Sequence, residues 1–131
     1  MGFSGEQLVQ PLQPVDTRRA MLDVHTVVAW AQGQVVHARV GVMGFCWGGL
    51  LAWRAACTLP QVLAVTSFYG GGMTEPQVRS DLPMCPVLVH LPAQGLSMSP
   101  ESMDEFVAVQ RHQHEALLLA QPGPQSPLVQ I

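Results

Sequence analysis

Lysine and asparagine are absent from the 131 residues, and charge of either sign is scarce. Asp, Glu, Lys and Arg together make up 11% of the chain, against roughly a quarter in ordinary soluble domains. The six cations, all arginine, face nine acids, for a net charge of -3. No basic field is left to hold nucleic acid or anionic lipid, so neither is expected as a partner. No apolar run approaches the roughly 18 residues of a membrane-spanning helix. Residues 1–10 lack the basic and apolar regions of a secretory leader, and Glu6 stands where a myristoylation motif wants Ser or Thr. Cysteines number three, Cys46, Cys57 and Cys85, with no CxxC spacing. That count suits a reducing compartment, the cytoplasm, better than a disulfide framework. The chain carries no cofactor motif and no metal-ligand spacing: His112 and His114, two apart near a helix end, project to different faces.

What is present is apolar. Hydrophobic residues are 48% of the chain and the mean hydropathy is +0.24, which suits one domain over residues 1–131. Residues 1–15, rich in Gly, Gln and Pro, read as a loose segment. Asp16 caps a helix to about Gln32, with Ala20, Met21, Val24, Val27, Val28 and Ala31 on one face. Ala38–Met43 reads as a strand, Trp47–Thr58 as a helix and Val62–Tyr69 as a second strand. Residues 73–85 read as a loop with at most a short helix, and Pro86–His90 as a third strand. Ser99-Pro100-Glu101 has the order of a helix start, a capping hydroxyl followed by Pro and an acid. Ala116–Ala120 reads as a fourth strand, and residues 121–131, with three prolines, as an irregular tail. Strands alternating with helices predict an α/β fold: about four parallel strands with helices covering both faces, a three-layer sandwich. Function in such sheets gathers at the carboxyl ends of the strands.

One of those ends carries a recognisable motif. Gly44-x-Cys46-x-Gly48 lies between a predicted strand and a predicted helix, the arrangement of a nucleophile elbow with cysteine in place of serine. The flanking glycines remove side chains that would collide at a sharp turn. The sulfur of Cys46 then sits at the positive end of the following helix, where a thiolate is favoured. The backbone N–H of Trp47 is placed to donate to an oxyanion. The competing reading is a buried structural thiol in a glycine-rich turn. Cys57, between helical alanines and a threonine, and Cys85, at a strand start, read as structural.

The run Val40-Gly41-Val42-Met43-Gly44-Phe45-Cys46-Trp47-Gly48-Gly49 resembles the nucleophile segment of the dienelactone hydrolase (carboxymethylenebutenolidase) family. Ser67-Phe68-Tyr69-Gly70-Gly71-Gly72 and Cys85-Pro86-Val87-Leu88-Val89-His90 are similar to the family's next two strands, in family order. The resemblance implies a partial α/β-hydrolase fold and hydrolysis of small lactones or carboxylic esters through an acyl-cysteine. It also implies a Cys-His-Asp triad, and there the chain departs. Gly95 stands at the position of the family's Asp, and Gln125 or Ser126 at that of its His. His90, at a strand end, is the available surrogate base. His25, His37, Asp104 and Glu105 read as solvated, and Asp81 lies in a loop. The second expectation is therefore a degenerate relative that keeps a reactive thiol or a ligand cleft without turnover. A sheet this short predicts an open edge, and with it a homodimer or a covering partner.

Overall fold

The computed structural model describes residues 16–93, 98–120 and 129–131. Asp16 starts the first helix, α1 (Thr17–Gln34), by accepting from the N–H groups of Arg18 and Arg19 at 3.0 and 3.3 Å. The helix buries Val28 and half-buries Met21 and Val24, as the apolar spacing predicts, but Val27, expected on the same face, is 61% exposed. The remaining elements are β1 (Val40–Phe45), α2 (Trp47–Thr58), β2 (Val62–Phe68), α3 (Pro76–Arg79), β3 (Val87–His90), α4 (Pro100–Ala120) and β4 (Val129–Gln130). All four strands are parallel, in spatial order β1-β2-β3-β4. Consecutive strands lie side by side, as short helical crossovers dictate.

Two local expectations change. Ala116–Ala120 is the last turn of α4, not a strand. Ala and Leu are strong helix formers, and nothing between Glu101 and Ala120 breaks the helix that Pro100 begins. A five-residue apolar run cannot by itself tell helix from buried strand. The fourth strand is instead Val129–Gln130, paired with Val87 and Leu88 inside the segment expected to be irregular. The start of α4 follows the sequence reading: Ser99 Oγ accepts from the N–H of Ser102 at 3.1 Å. Further along α4, Gln110 donates to the carbonyls of Arg79 and Asp81, and Gln113 to that of Ser80, tying α4 to the end of α3. Glu105 pairs with Arg79 across the same contact.

The core lies on one face of the sheet. Val65, Ser67, Val87 and Val89 point inward and are buried beneath the helices. Trp53 of α2 meets Phe106 of α4 edge-on, with ring centroids 5.2 Å apart, and both are fully buried. The alternate residues tell the opposite story. Met43, Phe45 and Leu88 are exposed, as are Leu63 and Ala64. The third layer expected from sequence is therefore not formed by the described residues, and one face of the parallel sheet stands open. Parallel sheets are normally covered on both faces. Among the described residues no helix is long and apolar enough to cross a membrane.

Candidate active site

The turn from β1 to α2 puts Cys46 at the carboxyl edge of the sheet, exposed, with φ 54° and ψ -125°. That conformation costs a residue with a side chain about 1–3 kcal/mol. Neighbouring backbone holds it there. The N–H of Cys46 donates to the Phe68 carbonyl at 3.0 Å, and the Cys46 carbonyl accepts from the N–H of Gly49 at 2.9 Å. The first N–H groups of α2, that of Trp47 among them, have no acceptor within the helix and lie at its N-terminus.

The glycines of the motif are not equivalent, which corrects the expectation that both flanking glycines avoid collisions. A Cβ on Gly44 would lie 1.9 Å from the Gly48 carbonyl oxygen, whereas a Cβ on Gly48 would meet nothing within 4 Å. The second close approach belongs to Gly49, where a Cβ would come 2.8 Å from the Phe68 oxygen and 2.9 Å from Gly70 Cα. Strand end, helix start and the turn after β2 thus meet backbone to backbone. Ser67, fully buried, locks the contact: its hydroxyl donates to the Gly49 carbonyl at 2.9 Å. The sequence does hint at Ser67, a polar residue at an inward position of an apolar strand, but the hint is silent about its acceptor.

Across the same edge, strand register sets Phe45, Phe68 and His90 side by side. Their rings form a column, with Phe45 and Phe68 centroids 4.6 Å apart and 10° from parallel, and Phe68 and His90 4.3 Å apart and 2° from parallel. Tyr69, at φ 39°, follows with its N–H donating to the His90 carbonyl at 2.7 Å. The structure therefore brings His90 to the same edge as Cys46 but places the β2 strand between them. Adjacent strands lie about 4.8 Å apart, so the strand ends bearing the two residues are separated by roughly 10 Å. Gly95, Gln125 and Ser126 lie outside the described residues. Asp81 does not reach this edge; its carbonyl receives Gln110 beneath the helices. His25 and His112 are exposed on helices, and His37, at φ 62°, sits in the turn before β1 at the opposite edge.

The other two thiols are structural in setting. Burial pushes the Cys57 thiol up to about 12, with Asp81 and Cys85 adding to the effect and Arg54 opposing it. Burial also raises Cys85. At pH 8 Cys57 is about one part in 10⁴ thiolate, the nucleophilic form. Iodoacetamide at that pH is expected to label one thiol per chain quickly, Cys46, as read by peptide mass spectrometry. Labelling of Cys57 should climb about tenfold per pH unit toward 12, because the reactive form is gained as pH rises. Equal rates at all three thiols in folded protein would contradict this account.

Comparison with known proteins places the chain among relatives of one kind. The model of the dienelactone hydrolase family matches residues 5–118. A carboxymethylenebutenolidase-like protein of Methylorubrum extorquens is 37% identical over 68 residues, covering 50% of this chain and 23% of the relative. Another, of Salmonella typhi, is 30% identical over 100 residues, covering 69% of this chain and 37% of the relative. The crystal structure of a dienelactone-hydrolase-like protein from Klebsiella pneumoniae superimposes with a TM-score of 0.63 at 25% identity, over 75% of this chain and 45% of that one. Each match spans less than half of the relative's own length.

Proposed function

Because the chain belongs to the dienelactone hydrolase family, we propose that it opens small lactones or carboxylic esters with Cys46 as nucleophile. The observation that carries this reading is the exposed Cys46 in a left-handed turn between a parallel strand and a helix N-terminus. In the proposed reaction the Cys46 thiol gives its proton to water, Sγ adds to the substrate carbonyl carbon, and the N–H of Trp47 donates to the oxyanion that forms. Collapse breaks the carbon–oxygen bond. The departing alkoxide takes a proton from water and leaves an acyl-cysteine. Water then hydrolyses the thioester, releasing the acid and the thiol.

That last step needs a base. His90 is the imidazole that the described residues bring to the edge. With its ring face against Phe68 and a strand between it and Cys46, it can serve the sulfur only through intervening water. We therefore expect acylation to outrun deacylation. The same geometry favours a second reading, a degenerate relative that keeps the reactive thiol without turnover. Three free thiols suit a reducing, cytoplasmic setting for either reading. The uncovered sheet face supports assembly, with a second copy or another polypeptide lying over it.

The test is 4-nitrophenyl acetate under stopped flow. We expect a burst of about one equivalent of nitrophenolate per chain, then slow release. Sustained release at the burst rate would mean an effective base and a working hydrolase. A burst with no further release selects the degenerate reading. Release no faster than in buffer alone removes the nucleophile assignment altogether.

A further inference from the structure

Aromatic residues are few in this chain and unevenly spent. There are eight in all, four Phe, three Trp and one Tyr. Four of them, Phe45, Trp47, Phe68 and Tyr69, gather at the carboxyl edge around Cys46. Three of these are held out to solvent: Phe45 is 54% exposed, Tyr69 44% and Trp47 36%. Leaving such rings wet forgoes the largest hydrophobic gain available to a side chain.

The column of Phe45, Phe68 and His90 is set by the sheet itself. Neighbouring strands lie about 4.8 Å apart, close to the separation of stacked rings, so residues in register present parallel faces. Among the described residues the column ends at Phe45. Phe45 sits on β1, the edge strand, with one face against Phe68. Its other face points past the edge of the sheet, with no further ring beyond it among the described residues. Tyr69 approaches Phe45 at a tilt, with centroids 6.5 Å apart at 56°. Cys46 is the very next residue in the chain.

We infer that this free face of Phe45 is an aryl subsite: the aromatic ring of an aromatic carboxylic ester stacks on Phe45 as the fourth member of the column, bringing its carbonyl to Cys46. Phe45 is then a specificity-determining residue, and aromatic acyl groups are favoured over saturated ones of the same size. The inference rests on the proposed acyl transfer for its kinetic consequence, but the binding does not depend on it.

Two measurements keep the two claims apart. The first compares burst rates with 4-nitrophenyl benzoate and 4-nitrophenyl cyclohexanecarboxylate, each divided by its rate with free N-acetylcysteine to remove intrinsic reactivity. Wild type should favour the benzoate. Phe45→Leu should lose that preference by roughly 2- to 13-fold, the range of one stacked aromatic pair, and Phe45→Tyr should keep it. An unchanged ratio in Phe45→Leu overturns the subsite. The second titrates wild-type protein with benzamide, which cannot acylate a thiol, and follows the ring protons of Phe45, Phe68 and His90 by NMR. Upfield shifts that saturate, largest at Phe45, are expected. Shifts absent or confined to other rings overturn the subsite even if the variants fail to fold. Saturable shifts at Phe45, with release from every ester no faster than in buffer alone, would sustain the subsite and sink the nucleophile.

Discussion

Replacing Cys46 by alanine is expected to abolish the nitrophenolate burst, leaving release at the rate of buffer alone. The expected fall is about 10³-fold or more, as for other enzymes stripped of their nucleophile. No other thiol replaces it, because Cys57 and Cys85 are held protonated by burial. Cys46→Ser should fail nearly as badly: a hydroxyl needs a base to become nucleophilic, and His90 stands across an intervening strand. The same position carries a second expectation of opposite sign. At φ 54° and ψ -125° Cys46 is strained, and glycine adopts such a conformation without a steric penalty. Cys46→Gly should therefore be inactive yet more stable than wild type, by roughly 1–2 kcal/mol in denaturant melts. A Cys46→Gly protein that is less stable would show that the strain is not there. A Cys46→Ala protein that keeps the burst would show that the acylated group lies elsewhere.

The second large effect separates two glycines that look alike in the motif. Gly44→Ala sets a methyl 1.9 Å from the Gly48 oxygen and 2.3 Å from its carbonyl carbon. Both are backbone atoms in the first turn of α2, so nothing short of moving that helix makes room. The expected loss is about 3 kcal/mol or more, at or above the top of the usual range for overpacking because the obstacle is backbone. Against a typical total of about 5–15 kcal/mol, that is enough to leave the variant unfolded or to lower Tm by more than ~10 °C. Gly48→Ala meets open space and places a better helix former in the first turn of α2. It should be neutral or stabilising, by up to about 1 kcal/mol. Thermal melts of the pair decide the matter: equal losses would mean that the elbow does not have this geometry. The contrast explains why the Gly-x-Cys-x-Gly pattern is only partly steric here. Gly44 is required by the helix that passes over it, whereas Gly48 meets it only through a carbonyl that any residue would present.

Ser67 and the glycines after β2 extend the same logic away from the motif. Gly70, like Gly49, sits where a Cβ would strike the opposing backbone, 2.8 Å from Leu50 N. The Ser67 hydroxyl closes the gap with a hydrogen bond to Gly49. These residues act on Cys46 only by fixing the helix whose N-terminus it occupies. Their role is visible once two strands and a helix are superposed in space; a reading confined to one stretch of chain finds a serine and some glycines.

Local chemistry in the sequence was enough to place most elements. Asp16 and Ser99 mark helix starts because a side-chain oxygen a few residues away can satisfy N–H groups that the helix leaves open. The elbow at Cys46 is legible because its glycines, strand and helix are contiguous. The parallel α/β architecture follows from the alternation of strand and helix, and the resemblance to one hydrolase family from three short runs in order. Each of these depends on residues close in the chain. What the tertiary structure alone decided depends on residues far apart in it. Ala116–Ala120 joined α4 because the helix was already running, and Val129–Gln130 became a strand because β3 offered an edge. The open sheet face emerged only when all the described helices were seen on one side. Phe45, Phe68 and His90 form a column through strand register, and His90 is kept from Cys46 by strand order. The apolar pattern of a strand says which residues face the core, but which strands become neighbours, and which of their residues align, is decided when whole strands pack against a common core.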